Sequence, residues 1–199
     1  MFHAPVLYCI SDPSSGDPVE LLLNIVSRRI EFFQFRHKQL ASAERAVIAG
    51  RLAQSHRQAT RLLINGLDQS WATLDIDGVH LPSSQEIQQA RSILPAKIVG
   101  ASAHTPDEAV RLSQEGADYV LLAPIFPAFS KQQARKPLGL RLLYQACRNA
   151  GSPIIALGGM TSDRFREVLD TGAAGIAGIS LFADPARLDA VVAKFRECA

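Results

Sequence analysis

The stretch Lys97–Pro127, KIVGASAHTPDEAVRLSQEGADYVLLAPIFP, decides the fold. Lys97–Ser102 is a short apolar run that ends in small polar residues, the pattern of a buried strand. Thr105-Pro106-Asp107-Glu108 opens a helix, with Thr105 as the capping hydroxyl, proline at the first helical position and acids in the first turn. Gly116 stops that helix, and Tyr119–Ala123 is a second apolar run. Strand, helix, glycine and strand in this order make a βαβ unit, the crossover that parallel strands require. Polar residues gather just after each strand, at Ser102–Thr105 and beyond Pro124. That is the end at which parallel α/β folds bind ligands.

Working outward, the same alternation continues in both directions. Strands are predicted at Val6–Ser11, Glu31–Arg36, Arg61–Asn65 and Gly78–Leu81 before this unit, and at Pro153–Leu157 and Gly175–Ser180 after it. Helices are predicted over Pro18–Arg29, Ser42–Ala59, Asp68–Leu74, Ser84–Leu94, Leu138–Ala150, Ser162–Thr171 and Pro185–Glu197, with Arg45 and Arg51 on the outer face of the second. Eight apolar runs separated by helices predict a (β/α)₈ TIM barrel occupying residues 1–199 as one domain. A doubly wound open sheet is the alternative, though six or seven strands would suit it better. Gly116-Ala117-Asp118-Tyr119-Val120, Gly172-Ala173-Ala174-Gly175-Ile176 and Asp75-Ile76-Asp77-Gly78-Val79 read as related tight turns into strands at the opposite, stability end.

Composition narrows the function classes. A formal net charge of +2 argues against a dedicated nucleic-acid binder. Cys9, Cys147 and Cys198 are odd in number and widely spaced, so they form neither a disulfide framework nor a metal pair and read as inert thiols. The first residues lack the basic and apolar regions of a signal peptide, and no apolar run reaches the length of a membrane span. The expectation is a cytoplasmic protein with small-molecule partners, without nucleic acid or membrane, and with a homodimer left open.

Candidate chemistry lies at the strand ends. Alternation after strand two sends Gln34, Arg36 and Lys38 inward, and leaves Phe35 and a surface His37 on the other side. Three polar residues facing into a barrel are costly unless they meet a ligand or one another; the bland alternative is an ion-pair cluster at the mouth. Asn65 ends strand three, and His80, near the end of strand four, reads as a locally satisfied histidine. Ser102 can hydrogen-bond a heterocycle. The loop Ala128–Pro137 carries Ser130, Lys131, Arg135 and Lys136 and could hold a phosphate, or simply be solvated. Gly158-Gly159 after strand seven and Ser180 after strand eight occupy the usual phosphate positions of such barrels, with Pro185 opening a nearby helix.

Taken together, Gln34-x-Arg36-x-Lys38, Leu63-Ile64-Asn65, Asp77-Gly78-Val79-His80-Leu81, Gly100-x-Ser102-x-His104-Thr105, Pro124-Ile125-Phe126-Pro127, Ser130-Lys131 and Ala156-x-Gly158-Gly159-Met160 resemble the thiamine phosphate synthase family and its relatives, the TenI-type thiazole tautomerases. The resemblance implies thiamine biosynthesis by a transferase that joins a pyrimidine diphosphate to a thiazole phosphate and releases pyrophosphate. It implies Arg36, Lys38, Ser102 and Lys131 as catalytic residues. Gln34 and Asn65 would bind the pyrimidine diphosphate, Gly158, Gly159 and Ser180 the thiazole phosphate, and Ser130 is a further substrate-binding residue. It also implies Mg²⁺, but Gly66 and Gln85 stand where the family places two carboxylate ligands, and glycine supplies no ligand oxygen from a side chain. The tautomerase branch carries a proton-transferring His where this chain has Pro124. A divergent synthase, a TenI-like isomerase and a non-catalytic binder of thiazole or thiamine phosphate are the three functions compatible with this pattern.

Overall fold

The computed structural model describes residues 4–13, 16–55, 60–127 and 135–199. Eight parallel strands pair each with the next, and the eighth returns to the first, giving the closed order β1-β2-β3-β4-β5-β6-β7-β8. The strands are β1 (Val6–Ile10), β2 (Phe32–Phe35), β3 (Arg61–Asn65), β4 (Gly78–Leu81), β5 (Ile98–Ala103), β6 (Tyr119–Leu122), β7 (Ile154–Leu157) and β8 (Gly175–Gly178). The helices are α1 (Pro18–Ser27), α2 (Ser42–Ser55), α3 (Ile87–Ile93), α4 (Pro106–Gln114), α5 (Gly139–Asn149), α6 (Phe165–Leu169) and α7 (Leu188–Cys198). The barrel is therefore a (β/α)₈ TIM barrel rather than an open sheet. Gln69–Thr73 is a 3₁₀ turn where a helix was expected over Asp68–Leu74, because the Asp68 carboxylate caps Ser70 at once and the chain turns back to bury Trp71. The Pro18 helix stops at Ser27, and Arg29 takes a positive φ of 54°.

Period-two alternation divides each strand between two apolar layers. Leu7, Cys9, Phe33, Phe35, Leu62, Ile64, Val79 and Val99 face outward into the layer beneath the helices. Val6, Tyr8, Ile10, Phe32, Leu63, Tyr119, Leu121, Ile155 and Ala177 fill the barrel interior. Large rings fit inside because glycines stand opposite them. A methyl group on Gly100 would collide with the Tyr119 ring, and one on Gly78 or Gly175 would strike the backbone of Ile98 or Val6.

The related turns at the stability end now have a physical explanation. The carboxylate just before an even strand accepts the backbone N–H of the preceding odd strand. Glu31 takes Leu7 N–H at 2.9 Å, Asp77 takes Leu62 N–H at 2.9 Å, and Asp118 takes Val99 N–H at 2.7 Å. Arg61 and Arg91 then pair with Asp77 and Asp118, each at 2.7 Å. These charge-assisted bonds pin the bottom register of the barrel. Ala174 occupies the corresponding place before β8 and offers no side-chain acceptor.

Gly78→Ala should lower stability by about 2 kcal/mol or more, because the added carbon meets backbone that cannot swing away. Gly50→Ala, in open space on α2, should instead raise it by about 0.5–1 kcal/mol. Urea titration of both variants checks the contrast, and equal effects would contradict the packing argument.

Candidate active site

The strand ends deliver their polar residues to one cavity of about 220 Å³ at the C-terminal mouth. Gln34, Arg36, Lys38, Asn65 and Ser102 all line it, together with His80, His104 and the apolar Ile10, Leu121, Leu157 and Ile179. It adjoins an open cleft between α3 and α4 lined by Ser83–Gln88, Glu108 and Arg111, with Pro82, Ser83 and Ser102 common to both. Ser130 and Lys131 lie outside the described residues. Gly158-Gly159 and Ser180 directly follow the lining residues Leu157 and Ile179, at the rim, and Ser180 is exposed.

Gln34 is 1 % exposed and His80 2 %, so both must be satisfied from within. Gln34 Nε2 donates to Asn65 Oδ1 at 2.9 Å, and Tyr8 Oη donates to Gln34 Oε1 at 2.8 Å. The Tyr8 and Tyr119 hydroxyls lie 2.8 Å apart. His80 Nδ1 is 3.1 Å from the Tyr119 hydroxyl, and His80 Nε2 is 2.8 Å from Ser102 Oγ. Burial, assisted by the nearby Arg36 cation, lowers the His80 pKa to about 3 and keeps the ring neutral. Burial also pushes both tyrosine hydroxyls well above their ordinary range. His80 is therefore locally satisfied as expected, but by a network that reaches two pocket residues. His104 Nδ1 meets the Ala123 carbonyl at 2.8 Å. Thr105 is a cap, accepting from Glu108 N–H at 3.1 Å.

Several expectations need correction. His37 is only partly at the surface: its ring stacks on Phe35 at 5.3 Å and its Nε2 is buried. Arg45 does not point outward. Its guanidinium lies over the Trp71 ring, 5.8 Å from the centroid, and the Trp71 indole N–H donates to Gly66 O at 3.1 Å. Gly158 and Gly159 hold φ values of 101° and 62°, and side chains there would press on Pro124, Phe126 and Pro127. These glycines thus first serve to let the segment after β6 lie against the end of β7, where Phe126 N–H bonds Gly158 O at 3.1 Å. The helix end at Pro185 is already capped by Asp184, whose carboxylate accepts Ala186 N–H at 3.0 Å. An anion there would meet a carboxylate.

The place where Mg²⁺ would be held does not fit that ion. Gln85 Oε1 is a neutral oxygen already accepting Leu67 N–H at 2.8 Å. A Cβ on residue 66 would stand 3.5 Å from Gln85 Oε1 and 3.8 Å from Arg45 Nη2, so a cation already flanks the spot. Asp68 is committed to Ser70 through its N–H at 2.9 Å and its hydroxyl at 2.6 Å. Among the described residues no cluster of three or more His, Cys, Asp or Glu could hold a metal. Magnesium needs anionic oxygen, and this set offers a neutral amide, a guanidinium and a single carboxylate, Asp68, whose charge Arg45 already faces.

Comparison with known proteins agrees with the barrel fold. The family model described as thiamine monophosphate synthase matches residues 7–182. The chain belongs to that family. A thiamine-phosphate synthase of Salinibacter ruber is 39 % identical over 167 residues, covering 82 % of this chain and 73 % of that protein. One from Chlorobium luteolum is 36 % identical over 182 residues, covering 89 % and 85 %. In structure, a thiamine phosphate pyrophosphorylase from Pyrococcus furiosus superimposes with a TM-score of 0.82 at 28 % identity, over 96 % of each chain. Among the described residues no helix is long and apolar enough to cross a membrane.

The network and the Arg45 contact were the parts missed from sequence. Tyr8 and Tyr119 at inward positions of their strands were the available signal, since a hydroxyl inside a barrel must find a partner.

Two outcomes follow for this site. Gly66→Asp alone should pair with Arg45 and gain no Mg²⁺ affinity, whereas Gly66→Asp with Gln85→Asp and Arg45→Leu should gain it. Calorimetry decides, and equal affinity in the single and triple variants would overturn the charge argument. Second, the depressed His80 pKa means that the unfolded chain binds the proton more readily. Its contribution to stability is therefore complete above pH 6.5 and is lost as pH falls toward about 3. Stability should fall by up to about 1.4 kcal/mol per pH unit in that window, and His80→Gln should remove this part of the slope in denaturant titrations.

Proposed function

We propose that the protein is a divergent thiamine phosphate synthase, acting in the cytoplasm as a single barrel domain. It joins a pyrimidine diphosphate to a thiazole phosphate and releases pyrophosphate. The observation that carries this is the convergence of Gln34, Arg36, Lys38, Asn65 and Ser102 on one cavity, in a chain of the thiamine monophosphate synthase family. Asn65 and Ser102 take the edge of the pyrimidine, with Gln34 holding Asn65 in place. Arg36 and Lys38 face the diphosphate and stabilise the charge that develops as pyrophosphate leaves, with Lys131 and Ser130 from the loop after β6 as further partners. The backbone at Gly158-Gly159 and the Ser180 hydroxyl receive the thiazole phosphate. Pyrophosphate departs from the pyrimidine methylene carbon as the thiazole nitrogen forms the new C–N bond.

The neutral and cationic surroundings of Gly66 and Gln85 make this reaction independent of Mg²⁺, and they also favour a second reading, a non-catalytic binder of thiazole or thiamine phosphate. Incubation with both substrates, in chelator and in Mg²⁺, separates the two. The expected result is thiamine phosphate formed in both conditions, with kcat/KM about 10- to 100-fold lower in Arg36→Ala or Lys38→Ala. Thiazole phosphate bound without product in either condition would establish the binder instead.

A further inference from the structure

The outer surface of α5 carries a charge pattern that the neighbouring helix answers with the opposite sign. Arg141, Tyr144 and Arg148 recur at helical spacing, so they share one face of α5, and all three are exposed. Tyr144 is 54 % exposed, one of three large hydrophobic side chains left open to solvent among the described residues. Asp163, Glu167 and Asp170 recur in the same way along the 3₁₀ turn Ser162–Arg164 and α6, and they are exposed as well. α5 lies between β6 and β7, and α6 between β7 and β8, so the two stripes run side by side. Cys147 marks the seam between them: it faces Thr171, and a Cβ on Gly172 would stand 3.7 Å from it. Tyr144, one turn before Cys147, therefore leans over this seam.

Among the described residues, the charged groups of Arg141, Arg148, Glu167 and Asp170 have no hydrogen bond or ion pair. Asp163 acts on Lys194, and Arg166 turns toward α7 and donates to Glu197 O at 2.8 Å. Each stripe is thus unanswered within the molecule, while its complement lies one helix away on the same face. A two-fold interface requires this layout, because the one patch has to be complementary to itself. Rotation about an axis that runs along the seam, parallel to the helices, lays α5 of each copy over α6 of the other. Rotation about an axis across the helices would instead set arginines on arginines and acids on acids, which repel. Both helices start at the mouth and run toward the stability end, so the favoured arrangement brings Arg141 level with the partner's Asp163 and the partner's Glu167, and Arg148 level with the partner's Asp170. The spans Arg141–Arg148 and Asp163–Asp170 are equal in residues, about 10 Å along a helix.

We propose that the face formed by α5 and α6 is an interface with a second copy of this chain. Tyr144 meets the partner's Tyr144 at the axis and supplies the apolar centre, and the ion pairs form a polar rim on either side. Exposed ion pairs are individually weak, so they set orientation and reject other pairings more than they add affinity. The assembly is accordingly a reversible dimer that salt weakens. A different partner protein would have to carry the same two stripes in the same order, whereas a second copy carries them by construction. A polyanion would meet the acids of α6 beside the arginines of α5. The inference does not rest on the proposed function, since α5 and α6 cover the outside of the barrel wall and leave the mouth open.

Sedimentation velocity on the full chain, over a concentration series, tests this. The wild type should dimerise reversibly, and raising the ionic strength from about 0.05 M to about 0.5 M should weaken the dimer about 10-fold. Arg141→Glu with Arg148→Glu makes the face acidic throughout, and Glu167→Lys with Asp170→Lys makes it mostly basic. Each double variant should be monomeric alone. A one-to-one mixture of the two should form a heterodimer, because every acidic stripe then faces a basic one. All four changes in one chain should restore self-association. The substituted positions are exposed, and circular dichroism confirms that each variant is folded. A wild type that stays monomeric throughout, double variants that dimerise like the wild type, or a mixture of folded double variants that stays monomeric would each overturn the interface.

Discussion

A closed parallel barrel must fill its own interior, and here the filling is done by a tyrosine ring laid over a missing side chain. Tyr119 occupies the space that Gly100 vacates, and it lies near Tyr8 at 5.7 Å and His80 at 5.7 Å, while Phe32 stacks on Tyr8 at 5.4 Å. Apolar ring faces supply the packing, and the polar tips have to be paired because water does not reach them. That requirement places a hydrogen-bonded layer above the aliphatic residues of the barrel and directly below the mouth. The same layer then orients Asn65 and Ser102. Packing and recognition are thus joined through a single set of side chains, and the floor of the cavity is rigid for the reason that the core is rigid.

The electrostatics of the mouth follow a different logic. Arg36 and Lys38 bring positive charge to the mouth, and Arg45 reaches Gly66 and Gln85 from α2, where its charge also acts on the Asp68 carboxylate. Arg45 is held by stacking on Trp71, which is in turn tied to Gly66 O. A guanidinium on an aromatic face keeps its charge while losing little freedom. Such a site attracts a polyanion without first recruiting a divalent cation. An acidic residue introduced at position 66 would meet this guanidinium before any metal, which is why the local charges have to be considered as a set.

Much of this was legible in the sequence because the signals were periodic. Eight apolar runs, the Thr105-Pro106 helix start and the inward alternation of Gln34, Arg36 and Lys38 each follow from local geometry, and the structure places them accordingly. Other features depend on contacts between distant segments and were not legible. Arg45 and Trp71 are far apart in sequence, and only the barrel brings them together. The Gly158-Gly159 pair shows the other kind of limit. A glycine records that something approaches closely, but not what: the side on which a Cβ would stand at Gly158 and Gly159 is taken by Pro124, Phe126 and Pro127.

The division between the two ends of the barrel lets residues at the mouth differ while the fold is kept. Register at the stability end rests on Glu31, Asp77 and Asp118, each bonded to the backbone of a neighbouring strand. None of these contacts involves Gly66, Gln85 or Arg45, which lie at the opposite end. Carboxylates at the bottom are therefore constrained by strand pairing, whereas carboxylates at the top are constrained only by the ligand they serve. Gly66 and Gln85 carry no charge, and no strand bond depends on a side chain at either position. Metal dependence in this family must accordingly be judged from the few residues at the ends of β3 and β4, not from the resemblance of the chain as a whole.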